Sequence, residues 1–225
     1  MKRMLGLGGV AVSLACLALL ASPSRAQDDK KHGYGGGQHK DGAGTGGQPG
    51  EAEMAKMMEE CMKAGMPGEH HVHMEALVGD WNITGKFKMT PDAPWTESKS
   101  TCHAEWVLGN RFIMQRIKGE PMPGMPMAFE GIGFLGYDNM TKKHISSWLD
   151  NMGTMIMGGE GECSDAGKTI TFMSKYLDPM TKKDSWMKSV YRIESPDRYV
   201  LQMYGPGPDG KEFMSMELTQ VRKAG

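Results

Sequence analysis

The chain lacks any motif that announces a reaction. There is no Gly-x-Ser-x-Gly elbow, no His-Glu-x-x-His helix, no phosphate loop and no dinucleotide fingerprint. An enzyme would have to assemble its site from dispersed residues, so a non-enzymatic role is the expectation. Cysteine is scarce: of four, Cys16 falls in an N-terminal apolar run, leaving Cys61, Cys102 and Cys163. An odd number without close spacing is neither a disulfide framework nor a zinc site. A Cys102–Cys163 bridge would need their strands to be neighbours. No basic stripe exists to neutralise phosphates, with 26 Lys and Arg against 27 Asp and Glu, so nucleic acid is not an expected partner. No long helical period follows residue 80, which excludes βαβ crossovers and a parallel sheet.

What is present begins with an export signal over residues 1–26. Lys2 and Arg3 precede an apolar core from Leu5 to Leu20, and Ser24-Arg25-Ala26 offers small residues at the −3 and −1 positions before Gln27. A transmembrane anchor is disfavoured by the short run and the missing stop-transfer pattern. A lipoprotein would use Cys16, but Ser13-Leu14-Ala15 fits a lipobox poorly. The expected mature protein is exported to the periplasm or the exterior, has no transmembrane anchor and carries a net charge of about −4 once Lys2, Arg3 and Arg25 are removed. Residues 27–50 are low-complexity, with nine glycines and almost nothing apolar to offset the entropy of ordering, and read as a flexible leader.

An amphipathic helical segment occupies 51–66. Met54, Met57, Met58, Cys61 and Met62 recur at i, i+3, i+4, i+7 and i+8, and Gly65 and Pro67-Gly68 end the pattern. A short second helix over about 69–77 leads into Leu77-Val78-Gly79-Asp80-Trp81, beyond which the apolar period becomes two. Extended segments then alternate with turn signals: 80–89, 98–108, 111–119, 128–137, 143–150, 154–162, 169–177, 185–194, 198–204 and 211–222. Leu108-Gly109-Asn110 and Asp165-Ala166-Gly167-Lys168 are tight turns by composition. About ten up-and-down strands form an all-β antiparallel barrel over 67–225, because closure removes the edges an open sheet would expose. A two-layer sandwich is the alternative.

Gly79-x-Trp81 after a short helix, the meander, and Arg222 in the last strand resemble the calycin (lipocalin-like) superfamily. In that group a first-strand tryptophan packs under a basic residue of the closing strand, which implies a structural role at the barrel floor for Trp81 and Arg222. The chain is more closely similar to an exported bacterial family, domain of unknown function 1579. The matching segments are Pro67-Gly68-Glu69-His70-His71, Leu77 to Trp81, Ala104 to Phe112, Gly136 to Asn139, Trp148 to Gly153 and Tyr204 to Glu212. The resemblance implies a fold and an address, but no activity.

Three constellations could carry chemistry. The barrel interior would bind a small ligand, with Trp106, Arg111, Arg116, Tyr137, Trp148, Asp150 and Tyr204 as candidate contacts. Alternation puts Trp148 on one face with His144, Ser146 and Asp150, which is either solvent-facing or a polar lumen. The second is metal: His70, His71 and His73 lie within four residues, and 21 of 23 methionines follow residue 26, including clusters at 122–127 and 152–157. Thioethers suit Cu(I) and imidazoles Cu(II) or zinc, yet methionine also fills irregular cores. Haem through His103 or His144 is a minor variant. The third is catalysis by Glu160 and Glu162, where solvation is the ordinary outcome.

The resulting expectation is an exported barrel, monomeric or weakly dimeric, that binds a small apolar or amphipathic molecule through methionines and aromatics. Trp148 Nε1, Asp150, Arg111 and Tyr204 would orient the ligand, and the 51–64 helix would cap the mouth. The alternatives are a copper-handling protein using Met and His clusters, and an interaction module with a filled barrel.

Overall fold

The computed structural model describes residues 50–121 and 127–224. The signal segment, nearly all of the leader and most of the 122–127 methionine cluster lie outside the described residues. Ten strands follow three helical elements: β1 (Gly79–Phe87), β2 (Thr96–Val107), β3 (Phe112–Gly119), β4 (Glu130–Asp138), β5 (Lys143–Asp150), β6 (Met157–Ser164), β7 (Thr169–Leu177), β8 (Asp184–Ser195), β9 (Arg198–Pro206) and β10 (Glu212–Arg222). Each pairs antiparallel with its sequence neighbours, and β1 also pairs with β10 from Trp81↔Arg222 to Phe87↔Met216, closing the barrel. This excludes the sandwich. The Leu108-Gly109-Asn110 turn expected from its glycine and asparagine joins β2 to β3, and it takes positive φ at all three residues, Leu108 included. Among the described residues no helix is long and apolar enough to cross a membrane.

Helix α1 (Glu51–Ala64) runs the length the methionine period predicts and has no buried residue. The second helix is shorter than expected. It splits into α2 (Glu69–Val72) and a 3₁₀ turn (Glu75–Leu77). The physical reason lies in Met74 and Leu77, which are both fully buried. Residues i and i+3 eclipse in a 3₁₀ turn, so both side chains can enter the barrel's base from one face.

That base is packed solid. Trp81 is fully buried, its Nε1–H donates to the Leu77 carbonyl at 3.1 Å, and Tyr199 meets its ring edge-on at 4.8 Å. The Arg222 guanidinium lies 4.3 Å from the indole centroid. It donates to the carbonyls of Val78 at 2.9 Å and Pro196 at 2.7 Å, and pairs with Asp197 at 3.1 Å. One side chain thereby ties the segment before β1, the β8–β9 turn and the floor indole together. Gly79 is required beside it: its φ is +132°, and a Cβ there would sit 2.1 Å from Arg222 Nη1.

Cys102 and Cys163 are both free. Their strands β2 and β6 are not neighbours in the barrel order, so the condition for pairing is not met. Burial pushes the Cys102 thiol up to about 12, which keeps it protonated and inert. Replacing Trp81 by alanine empties the floor and strands the Arg222 stack. Trp81→Ala is expected to lower unfolding stability by about 3–5 kcal/mol and Trp81→Phe by less, read as urea midpoints at unchanged m-value.

Candidate functional site

The opposite half of the barrel is hollow, because many of its inward positions hold residues too small to fill it. Gly131 and Gly133 on β4, and Gly159 on β6, occupy inward positions facing the β5 row of Ser146 and Trp148. A Cβ at Gly131 would lie 2.4 Å from the Trp148 ring, and one at Gly133 would lie 3.1 Å away. The absent side chains let the indole lie flat along the wall instead of standing across the lumen. The Phe129 ring lies nearly parallel to it, with centroids 6.2 Å apart and planes 16° from each other. The face that carries His144, Ser146 and Trp148 is thus the lumen face, not the solvent face.

The space left is a cavity of about 190 Å³. Its apolar wall includes Ile117, Leu135, Phe172, Leu201, Met203 and Leu218, and hydroxyls are supplied by Ser98, Ser100, Ser146, Ser174, Ser189 and Ser215. Gln115 and Gln220 stand deeper, Gln220 accepting the buried Tyr199 hydroxyl. Burial raises the phenols of Tyr191 and Tyr199 well above their ordinary range, so both remain neutral donors. Among the described residues the charged side chains lining the cavity are Lys88, Lys99 and Glu120, at the ends of strands that form the rim. Lys88 donates to the Pro91 carbonyl at 2.7 Å and lies 4.9 Å from the Trp95 centroid.

Of the seven residues expected to meet a ligand, Trp148 and Tyr204 line this cavity. The polar handles of both are engaged. Trp148 Nε1–H donates to Asp150 Oδ2 at 2.8 Å, and Tyr204 Oη–H donates to Gln202 at 2.9 Å. Asp150 also accepts the Met152 N–H at 2.9 Å, holding the turn after β5. Asn151 next to it donates to the Ala128 carbonyl at 2.8 Å and accepts the Glu130 N–H, joining that turn to the segment around Phe129 that leads into β4. The other expected contacts lie elsewhere. Trp106 donates to Glu75 near the base, and Arg111 caps its own turn at the carbonyls of Leu108 and Gly109. Arg116 is exposed, one residue out of phase with inward-facing Gln115 and Ile117. Tyr137 is buried under α2, stacked on His70 at 4.1 Å.

The histidines gather at the closed end. His71 is buried and its Nδ1 accepts the Gly68 N–H at 3.1 Å, while His73 packs on Gly167. His70 meets His144 at 6.0 Å and His73 at 5.6 Å. Among the described residues no group of three or more His, Cys, Asp or Glu side chains is placed to hold a metal ion. His103 is taken up in an exposed pair with Asp80. His144 is 2% exposed and its Nε2 has no partner. Burial, helped by the neighbouring His70, pushes its pKa down to about 4.

Of the serine belt the sequence reading placed only Ser146, beside Trp148; the other serines and the inward glycines escaped it. The signal was available: once Trp148 is set inward, the phase of β5 and its partners assigns Ser146, Gly133 and Gly159 to the lumen.

A model of the family described as Protein of unknown function (DUF1579) matches residues 66–222. No curated protein matches the chain. Among solved structures, Rv2717c from M. tuberculosis is similar with TM-score 0.50 and 16% identity, covering 71% of this chain and 100% of that one. The S-type phycobiliprotein lyase CPES from Guillardia theta is similar with TM-score 0.51 and 14% identity, covering 73% and 97%. At these identities the likeness is one of fold.

The His144 environment has a pH consequence. Its folded pKa lies below the ordinary 6.5, so the unfolded chain binds the proton more readily between the two values. Stability is complete above about pH 6.5 and declines as the pH falls, by roughly 3 kcal/mol at pH 4. His144→Phe should lose that component, flattening the dependence of the urea midpoint between pH 7 and pH 4.5. An unchanged slope would assign the acid sensitivity to other groups.

Proposed function

The chain belongs to the DUF1579 family, and from the interior its barrel encloses we propose that it is an exported carrier or receptor for a compact, uncharged, largely apolar molecule. The observation that carries this reading is the hollow half of the lumen: an apolar wall, a belt of serine hydroxyls, and charge confined to the rim. An ionised ligand would lose its hydration there without gaining a counter-charge. A neutral one exchanges water for the wall and can donate to or accept from the serines.

Volume narrows the class. About 190 Å³ is below the roughly 300–1,000 Å³ of pockets for drug-sized ligands and somewhat above the about 150 Å³ that holds a benzene ring. The occupant is therefore a one- or two-ring compound or a short chain. Burying roughly 200 Å² of it contributes on the order of 5 kcal/mol at about 25 cal/mol per Å², and two hydrogen bonds add about 1 kcal/mol each. The dissociation constant expected is on the order of 10–100 μM. Export is part of the proposal and rests on the signal segment read over residues 1–26, and a single chain suffices for binding.

Calorimetric titration with indole and with 1-hexanol tests the reading. Both should bind with one site per chain, and Ser189→Phe, which puts a ring into the cavity, should weaken binding at least tenfold while leaving the far-ultraviolet spectrum unchanged. Equal binding by wild type and Ser189→Phe would place any ligand outside the barrel and sink the proposal.

A further inference from the structure

Helix α1 presents sulfur at every position of one face. Met54, Met57, Met58, Cys61 and Met62 are its only apolar side chains larger than alanine. The four methionines are 54–64% exposed, and Cys61 is exposed and free. The chemistry of the stripe is unusually uniform, with sulfur in all five of its side chains. A face shaped only to bury apolar area draws on leucine, isoleucine, valine and phenylalanine, and α1 has none of them.

We infer that this face is a site for a soft monovalent cation, Cu(I) in chemical class, held by the Cys61 thiolate with the thioethers of Met57 and Met58 and flanked by Met54 and Met62. Residues three and four apart on a helix have their Cβ atoms about 5–6 Å from each other, and Met57 and Met58 stand at i−4 and i−3 from Cys61. Methionine has three rotatable bonds and a polarizable sulfur, so two thioethers from the preceding turn can converge with the thiolate on one ion. Thiolate and thioether ligands select Cu(I), whereas divalent ions such as Mg²⁺ and Ca²⁺ seek oxygen. The step is a ligand exchange without redox change: the Cys61 S–H bond breaks, its proton goes to solvent, and S–Cu bonds form.

The rest of the helix favours a cation over a membrane. Glu51, Glu53, Glu59 and Glu60 outnumber Lys56 and Lys63, giving the segment negative charge. An amphipathic helix that lies on anionic lipid carries the opposite sign on its polar face. The inference is independent of the lumen, and either can fail without the other.

The test uses the full chain, reduced, with Ag(I) as a redox-inert probe and Cu(I) under ascorbate, read by native mass spectrometry and by competition with bicinchoninate. One ion per chain is expected, with Cys61→Ser weakening it at least 100-fold and the double variant Met57→Leu/Met58→Leu at least tenfold. Leucine keeps the stripe apolar, so a loss in that variant reports sulfur ligation and not hydrophobic docking. Unchanged affinity in the leucine variant would reduce the site to an exposed thiol and overturn the inference. Retention of the ion by the Cys61→Ser variant would move it to Cys102, Cys163 or the histidines, with the same result. Zinc binding as tight as Cu(I) would contradict the soft-ligand assignment.

Discussion

The contact between the Arg222 guanidinium and the Trp81 indole is the constraint on which the barrel depends. Closure brings the last strand beside the first, and Trp81↔Arg222 is the pair at the base end of that seam. The guanidinium covers the indole while its N–H groups hold two carbonyls on either side of the seam. A planar, fixed fork of donors suits that double task, which a lysine ammonium with its compact charge would perform only in part. Sealing the base there leaves the opposite end as the open route into the lumen.

The two halves of the barrel follow different packing rules. At the base, Trp81, Tyr199, Met74, Leu77 and Ile113 are packed with no exposure. Towards the rim the inward rows change to serine and glycine, and the sheet cannot collapse to fill the difference, because ten paired strands fix its radius. Small residues here make a cavity, where in a sandwich they would bring two layers closer. The function proposed rests on that distinction between a closed and an open sheet.

Most of the fold was legible in the sequence. Period-two alternation, turn chemistry at 108–110 and 165–168, and the Gly-x-Trp step gave ten strands, nine of them within two residues of their observed limits. β6 starts at Met157, three residues later than its apolar run suggests, and the segment between the 151–152 turn and Met157 stays irregular. The candidate site was harder to read. Size and charge drew attention to Trp106, Arg111 and Arg116, which serve the base, a turn and the outer surface. The lumen is defined by what is missing, and glycines and serines carry weak local signals until the phase of every strand is known. The histidine cluster was visible as a run, but the ring contacts of His70 with Tyr137 and His144 join segments some seventy residues apart.

The bond from Trp148 to Asp150 gives the lumen wall a mechanical connection to the rim. Asp150 anchors the 150–152 turn, Asn151 grips the chain on either side of Phe129, and Phe129 lies against the indole. These groups form a closed circuit, so the ring cannot tilt away from Gly131 and Gly133 while the turn stays still. A displacement of the indole would therefore be felt at the 150–152 turn as well.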